Sequence, residues 1–387
     1  MEGVLTFKAS VDLESVTAPT ETASREQITK QLRYLIGNLQ YEAEGFHGTP
    51  SLGFQLTNLK IAAGASAGFY RITYDYRSNV AVANGTVNGL VKFDLPRNPD
   101  LIVQQSGDAC SSNMAEPLWY AFTPHKSGCR LTSGQDYDIY SGQLVLGPTM
   151  VTSFPEYEKL MSAEKVVRMA VLMNFEIEHA DPYIKDLVIQ GFSPRLWTQG
   201  EISALLGFTP KVFPQVEDFT KSGPNGTLKI LLFYGNARVE DLDGSRAFHY
   251  FYKNALETSN VVVYNGHSGL GSNIDLGLIE KSEGFQVRLN PDYQLYFFSG
   301  CITYSYYVDM YLARKATPAD PRGTKLFDVL TFGQELPGFD KRPLATVTAA
   351  VKEFALNGKK ASYQAITNQI RYSWFAVVGD EDNPTQP

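Results

Sequence analysis

Two side chains capable of covalent chemistry stand where apolar runs end. Residues 260–269 read Asn-Val-Val-Val-Tyr-Asn-Gly-His-Ser-Gly and carry His267 out of a β-branched run. Residues 293–301 read Tyr-Gln-Leu-Tyr-Phe-Phe-Ser-Gly-Cys and do the same for Cys301. Continuous runs of this kind are what strands covered on both faces look like. In open α/β sheets, ligands and chemistry collect at the carboxyl ends of strands. A thiol attacks as its thiolate, so it needs a base or a local field beside it. His267 supplies that base if the two strands are neighbours. Gly266, Gly269 and Gly300 let the backbone come close to a substrate. The backbone amides of Ser268 and Cys301 are then the donors for the oxyanion of a tetrahedral intermediate. The chemistry implied is acyl transfer through a thioester.

Other polar residues offer less. Asp275 and Glu280 follow His267 and either orient it, bind a basic substrate, or are simply acidic exposed positions. His47, His125, His179 and His249 read as surface or hydrogen-bonded structural histidines. The stretches 240–244 (Glu-Asp-Leu-Asp-Gly) and 380–383 (Asp-Glu-Asp-Asn) hold carboxylates of the type calcium uses. Neither has EF-hand spacing, and helix-capping and tail charges are the preferred reading. Residues 266–271 lack the Lys and spacing of a phosphate loop, and no Cys/His set has zinc-finger spacing. No cofactor is expected, with calcium as the alternative.

A net charge of −7 argues against nucleic acid or an anionic membrane surface as the main partner. A protein or peptide substrate is the expected partner, and the oligomeric state is left open. No stretch approaches the roughly 20 apolar residues of a membrane-spanning helix. With 22 Tyr and 23 Phe among 387 residues, the chain reads as folded and rich in aromatic strands. Its first residues have no basic and apolar signal-peptide pattern. Cys110 and Cys129 bracket a short segment of turn-forming residues. They are either a disulfide, contributing about 3 kcal/mol for a loop of that size, or two buried thiols. Cys301 is then the odd thiol. Secretion or a periplasmic location is preferred, with a cytoplasmic one as the alternative.

The positioning elements fall into two domains. Residues 1–155 read as a β-rich α+β accessory domain. It has strands at 5–13, 52–61, 68–76, 80–83 and 87–95, with Asn84-Gly85 as a hairpin turn between the last two. Ser24-Arg25-Glu26-Gln27 has capping-box spacing ahead of a helical face formed by Ile28, Leu32, Leu35, Ile36 and Leu39. Further strands are expected at 118–122 and 136–147. From 156 to 380 the pattern is α/β. A helical 156–160 leads into the apolar stretch 166–177, then a strand at 185–192 and a helix at 198–206 that Gly207 ends. A strand at 227–234 and a helix from Asp243 to Leu256 precede the His and Cys strands. Strand, helix, strand at this spacing predicts a parallel sheet. A strand at 325–332 and helices at 345–356 and 361–372 follow, and 381–387 read as a tail.

The order of apolar strand, His, small residue and Gly, then apolar strand, small residue and Cys, resembles caspase-like cysteine peptidases. The gingipain and clostripain-like branch is the most similar. Residues 327–333 (Phe-Asp-Val-Leu-Thr-Phe-Gly) resemble the strand after the nucleophile strand in that group. Val377-Val378-Gly379-Asp380 resembles a Leu-Gly-Asp-Pro turn near the end of such domains, with Glu381 in place of the Pro. Ser268 stands where the usual pattern has Gly directly after the His. The aromatic tract 304–307 after Cys301 is a second departure. The resemblance implies a caspase-like, mostly parallel sheet with flanking helices, and a Cys301–His267 dyad. The implied activity is a cysteine endopeptidase working through a thioester. The alternative is a catalytically inactive caspase-like fold acting as a secreted or surface binding protein.

Overall fold

A computed structural model describes residues 2–41, 48–83, 85–105, 110, 122–147, 153–174, 180–234, 242–334, 342–370 and 375–379. The chain divides into two compact units, Met1–Pro148 and Thr149–Pro387, a few residues before the boundary expected at 155.

The first unit runs β1 (Glu2–Glu14), α1 (Glu21–Tyr41), β2 (Gly48–Pro50), β3 (Gln55–Ala63), β4 (Phe69–Val82), β5 (Gly89–Pro96), α2 (Pro99–Gln105) and β6 (Tyr137–Leu146). Its antiparallel sheet has the order β2-β4-β1-β6-β5, and β3 also pairs with β4. β1 alternates along its length, so Leu5, Phe7, Ala9 and Val11 turn inward and meet Ile28, Leu32, Leu35 and Leu39 of α1. Three expectations change here. The helix starts at Glu21, not after Ser24, because Thr20 Oγ1 accepts the Ala23 N–H at 3.2 Å; Ser24 is buried inside the first turn. The strands expected at 68–76 and 80–83 are one strand, β4, paired with β1 from Glu2↔Ala81 to Glu14↔Phe69. β5 pairs with β6 and not with β4, so Asn84-Gly85 does not close a hairpin; Asn84 itself lies outside the described residues. Long-range pairing with β1 has overridden local turn chemistry. Residues 118–121 of another expected strand also lie outside the described set.

Cys110 and Cys129 form a disulfide. The chain between them is tied by Thr123 N–H to the Cys110 carbonyl and by Cys129 N–H to the Lys126 carbonyl, each at 3.0 Å.

The second unit runs α3 (Tyr157–Leu160), β7 (Val166–Asn174), α4 (Asp181–Ile189), β8 (Ser193–Leu196), α5 (Gln199–Leu206), β9 (Gln215–Ser222), β10 (Thr227–Tyr234), α6 (Leu242–Thr258) and β11 (Val261–Gly266). It continues with α7 (Leu276–Glu283), β12 (Gln294–Ser299), α8 (Thr303–Lys315), β13 (Phe327–Phe332), α9 (Arg342–Asn357), α10 (Tyr363–Ile370) and β14 (Phe375–Val378). Its sheet has the order β14-β13-β12-β11-β7-β10-β9-β8. The strands β13, β12, β11, β7 and β10 are mutually parallel, and the pairings of β14, β9 and β8 are antiparallel. Counting only the parallel strands in chain order gives 2-1-3-4-5, a doubly wound order whose switch point lies between β7 and β11. The interior strands are buried on both faces, as their unbroken apolar runs predict. Val171, Val263, Phe297 and Leu330 face α4, α9 and α10. Tyr264, Tyr296 and Phe298 face α6 and α8, where they meet Phe248 and Tyr311.

The strand expected at 185–192 is instead helix α4. Pro182 sits in its first turn, and Tyr183 and Leu187, one helical turn apart, are buried while Ile189 is 83% exposed. The helix at 198–206 is α5, with a reciprocal Thr198–Glu201 capping box and Gly207 at φ 72°.

Asp328, at the start of β13, is 1% exposed and is held by the hydroxyls of Tyr293 (2.5 Å) and Tyr363. Leaving a buried polar group short of a hydrogen bond costs about 1–3 kcal/mol. Tyr363→Phe should therefore lower stability by about 2 kcal/mol in urea unfolding; a loss below about 0.5 kcal/mol would show the buried carboxylate to be held without it. Burial also raises many tyrosines above their usual value, with Tyr157 and Tyr264 pushed up to about 12 and Tyr252, Tyr296 and Tyr363 well above normal. Above about pH 10 the unfolded chain loses phenolic protons that the folded chain keeps. Stability from this source is complete below that pH and falls as pH rises through the folded values. Unfolding midpoints measured from pH 9 to 12 should drop steadily, and a flat profile would contradict the sign.

Candidate active site

The positions of His267 and Cys301 follow from strand register. β11 and β12 are parallel neighbours whose last pair is Asn265 opposite Ser299, so His267 and Cys301 each lie two residues beyond the end of the same register. The strand ends are in van der Waals contact. A Cβ on Gly300 would lie 2.6 Å from the Gly266 carbonyl oxygen. A Cβ on Gly266 would lie 2.7 Å from Asn174 Cβ and 2.9 Å from the Tyr264 hydroxyl. These two glycines are needed because the protein packs against itself there, a demand additional to substrate approach. Asn174 ends β7, so β7, β11 and β12 come together at their carboxyl ends, beside the switch point.

Directly after Cys301 the chain makes a sharp strand-to-helix turn. Ile302 has φ 53° and ψ 30°, a left-handed conformation that is an outlier for a β-branched residue and costs roughly 1–3 kcal/mol. Surrounding bonds hold it. Its N–H donates to the Gln334 carbonyl at 3.0 Å. The Thr303 hydroxyl lies 3.0 Å from the Phe298 carbonyl and 2.8 Å from the Thr331 hydroxyl, and accepts the Phe332 N–H at 3.3 Å. α8 begins at Thr303, so the positive end of a 13-residue helix lies next to Cys301 and favours negative charge there. Cys301 is half-buried and is the cysteine outside the disulfide.

On the histidine side, the His267 ring is exposed and its backbone is anchored. The His267 carbonyl accepts from the Tyr264 hydroxyl and from Asn273 Nδ2 (2.7 Å). Tyr264 in turn accepts from Asn174 Nδ2 at 3.1 Å. The Ser268 carbonyl accepts from the Tyr307 hydroxyl and from the Gly271 N–H at 3.0 Å. Burial pushes the Tyr264 phenol up to about 12; hydrogen bonds with Asn174 and Asn273 pull it back, and charge on Cys301 adds to the rise. Tyr264 and Cys301 are thus within electrostatic reach of each other.

The remaining candidates have structural partners. Asp275 caps α7, accepting the Leu278 N–H at 2.9 Å. Glu280 makes a two-pronged pair with Arg314 (2.7 Å on each prong) and accepts the Val287 N–H at 2.9 Å. The Arg314 guanidinium holds its carboxyl below the usual range. His125 Nε2 lies 3.0 Å from Asp94, and His249 Nδ1 lies 2.7 Å from Glu283. His47, His179 and the acidic stretch 380–383 lie outside the described residues, as do Glu240 and Asp241. Among the described residues, no three His, Cys, Asp or Glu side chains come together as a metal site. The aromatic tract after Cys301 belongs to α8, where Tyr304, Tyr306 and Tyr307 are at most 9% exposed and pack inward. A cleft of about 480 Å3 lies in the first unit, lined by Asp12, Arg71, Arg97 and Phe69 among others. Within it Arg71 pairs with Asp12 at 2.7 Å, and Arg97 lies 3.2 Å from Asp138.

Asn174, Tyr264, Asn273 and Ile302 do not stand out in the sequence as site residues, and Tyr307 reads there only as part of the aromatic tract. Tyr264, Asn273 and Ile302 lie close to the His and Cys motifs, whereas Asn174, 90 positions before Tyr264, carries no such signal. Gly300→Ala should drive its new methyl into the Gly266 carbonyl and separate the two strand ends. The expected cost is about 1–3 kcal/mol in urea unfolding, and an unchanged midpoint would refute the close approach. No protein-family model matches this chain, and no curated protein matches it in sequence.

Proposed function

We propose that the second unit is a caspase-like cysteine hydrolase, most consistent with an endopeptidase that uses Cys301 and His267. The observation that supports this reading best is that His267 and Cys301 follow directly on the carboxyl ends of two adjacent parallel strands, each two residues past the last paired positions Asn265 and Ser299, beside the switch point. The left-handed turn at Ile302 and the start of α8 add to it. They present Cys301 at a sharp turn with helix amides behind it.

In this mechanism the Cys301 thiolate attacks the scissile carbonyl carbon. A sulfur–carbon bond forms as the carbonyl π pair moves to oxygen, and the amides of Ser268 and Cys301 hold the resulting oxyanion. The oxyanion collapses, the carbon–nitrogen bond breaks, and His267 passes its proton to the departing amine. Water, deprotonated by His267, then attacks the thioester. The acid leaves and the thiol is regenerated with the proton His267 took. No external oxidant or reductant is involved. The disulfide in the first unit suits an oxidising compartment, so the proposed setting is secreted or periplasmic.

The test is covalent labelling. Wild-type protein incubated with a panel of peptide acyloxymethyl ketones should take up one label, located at Cys301 by peptide mass mapping. Cys301→Ala should take none, and His267→Ala should react about 100-fold or more slowly. Wild-type protein that takes no label at Cys301 across the panel would defeat the hydrolase reading and favour a non-catalytic binding protein.

A further inference from the structure

The peptide group joining His267 to Ser268 has a feature that the dyad alone does not require. Its carbonyl oxygen is held by two side-chain donors, the buried Tyr264 hydroxyl and Asn273 Nδ2 at 2.7 Å. Tyr264 is fully buried and is itself tied to Asn174 Nδ2 at 3.1 Å, so one anchor is rooted in the end of β7. Space is made for it: the phenol crosses Gly266 where any Cβ would meet its hydroxyl at 2.9 Å. The next carbonyl, that of Ser268, is held by Tyr307 and by the Gly271 N–H at 3.0 Å. Two consecutive carbonyls are therefore drawn to fixed donors from β11, α8 and the turn after Ser268.

A peptide group is planar, and this one is trans, so its N–H points opposite to its C=O. Anchoring the His267 oxygen fixes the direction of the Ser268 N–H. A carbonyl that accepts two hydrogen bonds also polarises its own amide, which makes that N–H a better donor. We infer that Tyr264 and Asn273 are positioning residues that aim and strengthen the Ser268 amide as an oxyanion donor. The inference rests on the hydrolase reading above, and it assigns Tyr264 a role distinct from core packing. Neither residue touches substrate; both act through the amide.

The experiment compares two small reagents at Cys301. Iodoacetamide reacts by displacement: sulfur–carbon bond formation expels iodide, and no oxyanion develops. p-Nitrophenyl acetate reacts by addition: the thiolate adds to the carbonyl, an oxyanion develops, and p-nitrophenolate leaves. Cys301→Ala sets the background for each. Tyr264→Phe and Asn273→Ala should each slow Cys301-dependent acylation on the order of 10-fold and leave alkylation within about two-fold of wild type. Asn273 lies in the turn following Ser268 and so provides a test that does not disturb the core beneath Tyr264. Variants that acylate like wild type overturn the inference, as do variants in which both rates fall together. Wild-type protein with no Cys301-dependent acylation overturns the hydrolase reading itself, and this inference with it. That outcome is distinguished by appearing before any substitution at Tyr264 or Asn273 is made.

Discussion

The close approach of Gly300 to the Gly266 carbonyl is the constraint on which the carboxyl ends of β11 and β12 depend, since a Cβ at 300 has no room there. Together with the parallel register, it fixes the point from which the chain leaves each strand toward His267 and Cys301. It also leaves no room for a side chain at either position. The Tyr264 hydroxyl occupies the space above one glycine, and a Cβ on the other would lie 3.1 Å from Thr303 Cγ2. The turn into α8 then starts from a fixed point, and the left-handed Ile302 follows from having to reverse direction within two residues. Strain there is tolerated because Gln334, Phe298 and Thr331 hold both sides of the turn.

A layer of tyrosine hydroxyls lies beneath this contact. Tyr252 and Tyr311 are bonded to each other at 2.5 Å, Tyr311 reaches the Ile274 carbonyl at 2.8 Å, and Tyr307 and Tyr264 reach the Ser268 and His267 carbonyls. The rings fill the core between the sheet and α6 or α8, while the hydroxyls of Tyr264, Tyr307 and Tyr311 each donate to a loop carbonyl. The loop after His267 is thus ordered by the core through polar bonds. Tyr has a specific use at these positions, since Phe would pack as well but remove one donor from each of those carbonyls.

The parts of this arrangement that were legible in the sequence share a physical character. β11 and β12 announce themselves as apolar runs because both of their faces are covered, and β10 and β13 do so in large part. α5 could be bounded because both its ends carry local chemistry, Thr198 with Glu201 and then Gly207. α4 was misread as a strand because Leu187-Val188-Ile189 is a short apolar run with β-branched residues, and its buried face involves only Tyr183 and Leu187. β8, β9 and β14 carry no strong pattern; they are edge or near-edge strands stabilised by register with a neighbour. The order of strands, the contact between glycines and the backbone of Ile302 all depend on residues far apart in sequence. For the same reason Asn84-Gly85 misled: its local turn preference was outweighed by the pairing of β4 along β1. His267 and Cys301 could be located as chemistry at strand ends, whereas the donors behind them read only as ordinary aromatic and amide residues.

The margins of the eight-stranded sheet carry a consequence for the protein's behaviour in solution. Both outermost strands, β8 and β14, are four residues long, and β8 is exposed throughout and contains Pro194 and Arg195. A proline removes one amide donor from an already short edge, and a charge beside it disfavours stacking against a second sheet. The long apolar strands that are best suited to templated aggregation, β11, β12 and β13, are all interior. While the unit stays folded, these segments lie between short margins, and on the β8 side the outermost strand is one that a second sheet would pair with poorly.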